Sequence, residues 1–240
     1  MTTVSDPWSF FDKIYCISID TRIDRRTEAQ KQFSSANLLD RVEFILVKKH
    51  PVNPEQGIFE SHMYCLQRGL QTGARHILIF EDDILFKTFQ PEILLTGVQF
   101  LENRQNWKAF FLGAISRKIT TTEVSSVVKI QYQCLAHAYA VNRPFARQLV
   151  RESWNNIPYD DLLQKQCEEF YALSPMLAFQ SQASSDNKTV FLDTMRRFFG
   201  GLAFIQRMNE IYQKNKVFII VSHGLGIMGL LLLITQLKKY

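Results

Sequence analysis

The sequence predicts an α/β domain on an open, largely parallel sheet flanked by helices, with a hydrophobic helix at the C-terminus. Three observations carry this. Short β-rich apolar runs alternate with helical segments over the first 187 residues. The 240-residue chain is 46% hydrophobic and 21% charged, enough apolar material for a sizeable core. A 21-residue run near the C-terminus contains no Asp, Glu, Lys or Arg.

The elements follow in order. Residues 13–19 (KIYCISI) read as the first strand, 24–39 as a helix, 42–47 (VEFILV) as the second strand and 61–71 as a helix. Residues 76–80 (HILIF) form a third strand that ends in acids, 91–102 a helix and 107–112 (WKAFFL) a fourth strand. The stretch 123–141 is mostly β. Arg143-Pro144 opens a helix running to about Trp154, and Tyr159-Asp160-Asp161 after Pro158 marks another helix start. Ten Gly and seven Pro show no period, which removes collagen-like and solenoid folds. Cys16, Cys65, Cys134 and Cys167 are widely spaced without a CxxC pair and read as reduced thiols.

The net charge of +5 does not indicate nucleic acid. From Lys188 onward eight basic residues face only Asp193 and Glu210, so the first 187 residues are nearly neutral. A groove that tracks phosphates spreads its Lys and Arg over the folded domain. The chain therefore divides into a domain over 1–187, a basic amphipathic segment over 188–216 and an apolar run over 217–237. In the middle segment Phe191, Met195, Phe198, Leu202 and Ile205 recur at helical spacing, with Arg196, Arg197 and Arg207 available to the other face. Such a stripe suits the headgroup layer of an anionic membrane or packing on the domain. As a helix, 217–237 would be roughly 31 Å long, which matches a hydrocarbon core of about 30 Å. It reads as a transmembrane anchor, with a buried C-terminal helix as the alternative. No basic stretch followed by an apolar one occurs at the N-terminus, so the expected location is the cytoplasm, membrane-anchored through the C-terminus.

Ligands of open parallel sheets bind beyond the carboxyl ends of the strands. At the end of the third strand, Glu81-Asp82-Asp83 places three mutually repelling carboxylates, which a divalent cation such as Mg²⁺ or Mn²⁺ bridging a diphosphate would reconcile. A solvated loop or a helix cap is the alternative. If the strand persisted, residues 81 and 83 would share one face and Asp82 would take the other. At the end of the first strand, Arg22, Asp24, Arg25 and Arg26 open a helix where arginine forks and free N–H groups suit phosphate, or form a solvated face. His137, in an apolar stretch, is a third metal ligand, a donor contact or a core histidine.

Taken together, "IYCISIDTRIDRR", "GIFESHMYCLQRGLQTGARHILIFEDDILF", "AHAYAVNRPFARQLV", "IPYDDLL" and "SPMLAFQSQASSDN", in that order, resemble the family 25 glycosyltransferases. These are lipopolysaccharide-biosynthesis enzymes of bacteria with relatives among the collagen galactosyltransferases. The resemblance covers residues 13–187. It implies a GT-A type fold, a nucleotide-sugar donor such as UDP-galactose, a divalent metal and inversion at the anomeric carbon. Carried over by position, it implies Glu81, Asp82 and Asp83 as the metal motif, Ser61 and His62 near the donor, and Asp160 on the acceptor side. The family's usual Asn-Leu in the first strand is replaced here by Ser18-Ile19.

The expected function is that of a metal-dependent inverting hexosyltransferase, galactose favoured, acting on lipopolysaccharide or another glycolipid. Asp160 would be the base, with Asp161 as its substitute, and Arg22 or Arg25 would assist the leaving diphosphate. Two other classes compete: a membrane-tethered interaction protein that kept the fold and lost turnover, and a nucleotidyltransferase using the acids for two metals.

Overall fold

The computed structural model describes residues 6–181 and 201–237, the side chains of 224–227 and 229–237 excepted. In chain order the elements are β1 (Lys13–Ile19), α1 (Ile23–Ser35), β2 (Val42–Val47), α2 (Pro54–Gln71), β3 (His76–Glu81), β4 (Ile84–Phe86) and α3 (Pro91–Glu102). They continue with β5 (Ala109–Phe111), β6 (Ile115–Thr121), β7 (Val127–Cys134), β8 (Ala138–Asn142), α4 (Arg143–Leu149), α5 (Tyr159–Lys165), β9 (Phe170–Leu173), β10 (Ala178–Gln180) and α6 (Gly201–Leu237).

Among the described residues, eight strands form one sheet in the order β2-β1-β3-β8-β5-β9-β7-β6, and β10 pairs with β4 in a separate ribbon. β8 runs against its neighbours β3 and β5, and β7 against β9 and β6. The sheet is thus mixed, though its other six strands share one direction, as a largely parallel sheet requires. The reversals sit where the sequence showed only a β-rich stretch. β6 and β7 form a hairpin, and β8 returns between β3 and β5.

The central strands are apolar on both faces because helices cover both. Leu78 and Phe80 enter the core beneath α1 and α3, while Ile77 and Ile79 enter the one beneath α2, α4 and α5. Ala138 and Ala140 alternate in the same way with Tyr139 and Val141. Small residues set the helix distances: a Cβ on Gly69 of α2 would come within 2.5 Å of the Ile77 side chain.

Most helix expectations hold, with shifted boundaries. α2 begins seven residues earlier than expected, because the Asn53 side chain accepts hydrogen bonds from the Glu55 and Gln56 N–H groups and Pro54 takes the first helical position. α4 ends at Leu149, short of Trp154, and α3 spans the expected residues. All four cysteines are free.

Of the basic amphipathic segment, 182–200 lies outside the described residues, including Phe191, Met195 and Phe198. The remainder belongs to α6, which lies against β6 and β10 with Gln206, Asn209, Glu210 and Gln213 bonded to the domain. The Asn209 side chain bonds both backbone groups of Ser116, at 3.1 and 3.0 Å, and Gln213 donates to the same carbonyl. Glu210, 5% exposed, accepts from the Met176 N–H and the Ser174 hydroxyl. Phe204, Met208, Ile211 and Tyr212 are left exposed. From Lys214 to His223 every residue except Ile219 is exposed. Among the described residues no helix is long and apolar enough to cross a membrane. The expected span 217–237 is helical, but most of its side chains lie outside the described residues.

Candidate active site

At the carboxyl ends of β1, β2 and β3 a cavity of about 430 Å³ opens. Its lining is apolar in part, with Ile17, Ile19, Val47 and Ile58. Its polar lining includes Arg25, Ser61, His62, Glu81, Asp82, Asp83, His137, Asp160, Asp161 and Gln180. Of the twelve side chains singled out from the sequence, the fold brings nine to this one place. Arg22, Asp24 and Arg26 are the exceptions. They do not line the cavity, and the Arg22 fork grips the exposed Asp24 carboxylate with two contacts of 3.0 Å. A neighbouring carboxylate two residues away on the same turn captured the guanidinium.

The strand-alternation expectation for the three acids is corrected. β3 ends at Glu81, and the chain turns through Asp82 and Asp83 before β4. The turn releases both aspartates from the pleat, so they lie together. Arg25 reaches them from the first turn of α1, with NH1 3.2 Å from Asp82 Oδ1 and NH2 3.0 Å from Asp83 Oδ2. Glu81 instead meets His62 of α2, Nε2 to Oε1 at 3.3 Å. Burial pushes the Glu81 carboxyl up to about 7 and also raises Asp82 and Asp83 above the ordinary range, in the latter case with help from the Glu81 charge. The same burial lowers His62 to about 4, so its ring is neutral at neutral pH. His62 stacks on Tyr159 with centroids 4.2 Å apart, and its Nδ1 lies 3.0 Å from the Tyr139 hydroxyl. These contacts fix the ring against Glu81. The Ser61 hydroxyl donates to the Gly57 carbonyl at 2.6 Å and so serves the helix while lining the cavity.

Asp160 is less available than the sequence suggested. One of its oxygens accepts from the Tyr132 hydroxyl and from the Ala136 N–H at 3.2 Å, and the other from the Leu135 N–H at 3.1 Å. It holds the turn, with Leu135 at a φ of 78°, that delivers His137 to the cavity. Asp161 is exposed at the cavity rim, and among the described residues nothing bonds its carboxylate.

A divalent ion fits these residues on one observation. Arg25 engages one oxygen of each aspartate, and the other two, Asp82 Oδ2 and Asp83 Oδ1, are buried without a hydrogen-bond partner. Gln180 Oε1 and His137 Nε2 are buried and unpartnered as well. Buried acceptors without donors are costly and point to a bound group. Among the described residues no three His, Cys, Asp or Glu side chains converge as a ready-made cage. Mg²⁺ and Mn²⁺ held by one or two carboxylates plus substrate phosphates do not need one.

Three lining groups escaped sequence reasoning. Lys48 and Lys49 follow β2, where the strand-end rule could have flagged them. Gln180 comes from β10, and its amide donates to Asp83 Oδ2 at 2.7 Å. No sequence signal marks that contact, which spans 97 positions.

No protein-family model matches the sequence, and no curated protein does; the likeness to family 25 rests on the residues quoted above. Among solved structures, the chain is similar to A197 from STIV (TM-score 0.45, 10% identity, covering 70% of this chain and 83% of that one). It is also similar to a glycosyltransferase involved in the glycosylation of the major capsid of PBCV-1 (0.41, 9%, 64% and 73%). A third is UDP-glucose pyrophosphorylase complexed with UDP-glucose (0.39, 12%, 72% and 80%). Likeness at this level identifies no activity.

Proposed function

We propose that this protein is a metal-dependent glycosyltransferase of the family 25 type, moving a hexose, galactose favoured, from a UDP-sugar to a glycan acceptor with inversion. The observation that carries the reading is the pair of buried, unpartnered carboxylate oxygens of Asp82 and Asp83 at the strand-end cavity. The apolar lining residues Ile17, Ile19, Val47 and Ile58 suit a nucleobase and ribose, and the acids in the same cavity suit the diphosphate's metal ion. Asp82 and Asp83 would hold the divalent ion, which when bound supplies positive charge to the leaving diphosphate.

The chain's own groups do the rest. Arg25 keeps both carboxylates aligned and leaves their other oxygens unpartnered. Transfer breaks the bond from the anomeric carbon to the β-phosphate oxygen and forms one to the acceptor oxygen on the opposite face. The acceptor's proton goes to a carboxylate within reach, and Asp161 takes that role because Asp160 is engaged by three donors. Asp160 acts by holding the turn that carries His137.

The experiment is a thermal-shift screen of nucleotide sugars with and without Mn²⁺, since a ligand of the folded state raises the apparent stability. A UDP-sugar is expected to stabilise the protein only with metal, and Asp83→Asn to abolish both the shift and the release of UDP. No shift with any nucleotide sugar, and no nucleotide release, means the interaction-protein reading stands instead. Transfer of the nucleotide in place of the sugar means a nucleotidyltransferase.

The acceptor belongs on this reading to lipopolysaccharide or another glycolipid at the cytoplasmic face of a membrane. What supports it is the orientation of α6, whose Gln206, Asn209, Glu210 and Gln213 bond to the domain and whose Phe204, Met208, Ile211, Val217 and Phe218 are exposed along with Lys214 and Lys216. The full chain is expected to sediment with vesicles containing anionic lipid, and a chain ending at Lys216 to stay largely in the supernatant while still hydrolysing donor. Equal sedimentation of both would place the membrane contact elsewhere.

A further inference from the structure

The acidic site is tied to the C-terminal helix through one side chain. Gln206 of α6 is fully buried. Its Oε1 accepts from the Gln180 backbone N–H at 2.8 Å, and its Nε2 donates to the Ala178 carbonyl at 3.4 Å. Gln206 thus grips both ends of β10. β10 in turn grips Asp83 twice. The Gln180 side chain donates to Asp83 Oδ2, and the Ser181 N–H donates to the Asp83 carbonyl at 2.7 Å. Across the ribbon, Gln180 pairs with Ile84, the residue after Asp83. Gly113 sets the position of β10 as well: a Cβ there would lie 1.8 Å from the Ala178 carbonyl oxygen, so the strand sits at backbone contact distance.

We propose that Gln206 is a positioning residue for the divalent ion and donor diphosphate: acting through Gln180, it holds the Asp83 carboxylate so that its unpartnered oxygen stays placed for the ion. The inference rests on the nucleotide-sugar reading above. It makes the first two turns of α6 part of the catalytic unit, whatever its distal half does. Among the α6 side chains that anchor the helix, Asn209 and Gln213 reach Ser116 and Glu210 reaches Ser174 and Met176, whereas Gln206 reaches the residue that touches Asp83. A buried polar network of this kind has two discrete outcomes, satisfied or broken, which makes its effect on the carboxylate measurable.

The test is a double-mutant cycle on the full-length protein, reading Mn²⁺ affinity in the presence of UDP by calorimetry, with kcat and KM for UDP-sugar hydrolysis alongside. Gln206→Met and Gln180→Met are each expected to weaken Mn²⁺ binding by about 10- to 100-fold, the usual loss when a partner of a metal-binding group is removed. The double variant is expected to bind no more weakly than Gln180→Met, because one residue acts through the other. Gln206→Glu retains the acceptor for the Gln180 N–H and is expected to keep most of the Mn²⁺ affinity despite a lower melting temperature. Asn209→Leu loosens the same helix and is expected to lower the melting temperature while leaving Mn²⁺ binding in place. An unchanged Mn²⁺ affinity in Gln206→Met, losses that multiply in the double variant, or an equal loss in Asn209→Leu each overturns the proposal. UDP binding to the unmodified protein without any Mn²⁺ dependence overturns the functional reading first, and this inference with it.

Discussion

Replacing Arg25 by Met is expected to cost about 3–5 kcal/mol of folding stability near neutral pH, the usual penalty for leaving buried carboxylates without their cation. Arg25 is the cation shared by Asp82 and Asp83, which are 5% and 6% exposed. The pH dependence identifies the cause. Burial already holds both carboxyls above the ordinary range, so the folded state prefers them protonated and loses stability as pH rises through their folded values. Removing Arg25 extends that loss to higher pH. Urea midpoints at about pH 4 and about pH 8 should therefore separate the variants strongly at the alkaline end and weakly at the acidic end. Added Mn²⁺ is expected to return part of the loss, since it supplies the missing positive charge to the same pair. A deficit that is equal at both pH values would mean that Arg25 acts through packing alone.

The second large effect has the opposite sign. Glu81 is raised from 4.5 to about 7 by burial. The unfolded chain ionises it earlier, so the folded state pays a penalty that is absent below the unfolded value and complete above the folded one. A shift of that size corresponds to roughly 3 kcal/mol. Glu81→Gln is therefore expected to stabilise the protein by that amount above about pH 8 and by almost nothing near pH 4, with the His62 Nε2–H now donating to the amide oxygen. For a chain of this size the melting temperature should rise by roughly 6–12 °C at the alkaline end. Donor hydrolysis should fall sharply in the same variant, as expected where a strained site trades stability for function. Calorimetric scans across the pH range check the first outcome; a gain that does not vary with pH would sink it.

The candidate site was legible in proportion to how local its logic is. Glu81, Asp82 and Asp83 announce themselves because three acids close an apolar strand, and an open sheet presents ligands at such ends. Arg25 was visible as one of several arginines opening α1, but nothing in the spacing distinguished it from Arg22. The fold sent one into the cavity and the other onto Asp24. Asp160 and Asp161 were legible as a helix start. Which of them faces free space was not, because that depends on Tyr132 and the Leu135 and Ala136 amides, 24 to 28 positions away.

For the fold as a whole, periodicity and cap residues sufficed to place α3 and the strands β1 to β3, since these follow from side-chain alternation and from capping within a few residues, whereas the Asn53-Pro54 start of α2 was missed by seven residues. Strand order, the reversed β7 and β8, the β4–β10 ribbon and the polar contacts of α6 with the domain were decided only by the tertiary structure. Backbone pairing carries no side-chain signature for its partner, and a glutamine such as Gln206 has no local reason to be buried until Gln180 and Ala178 are brought to it.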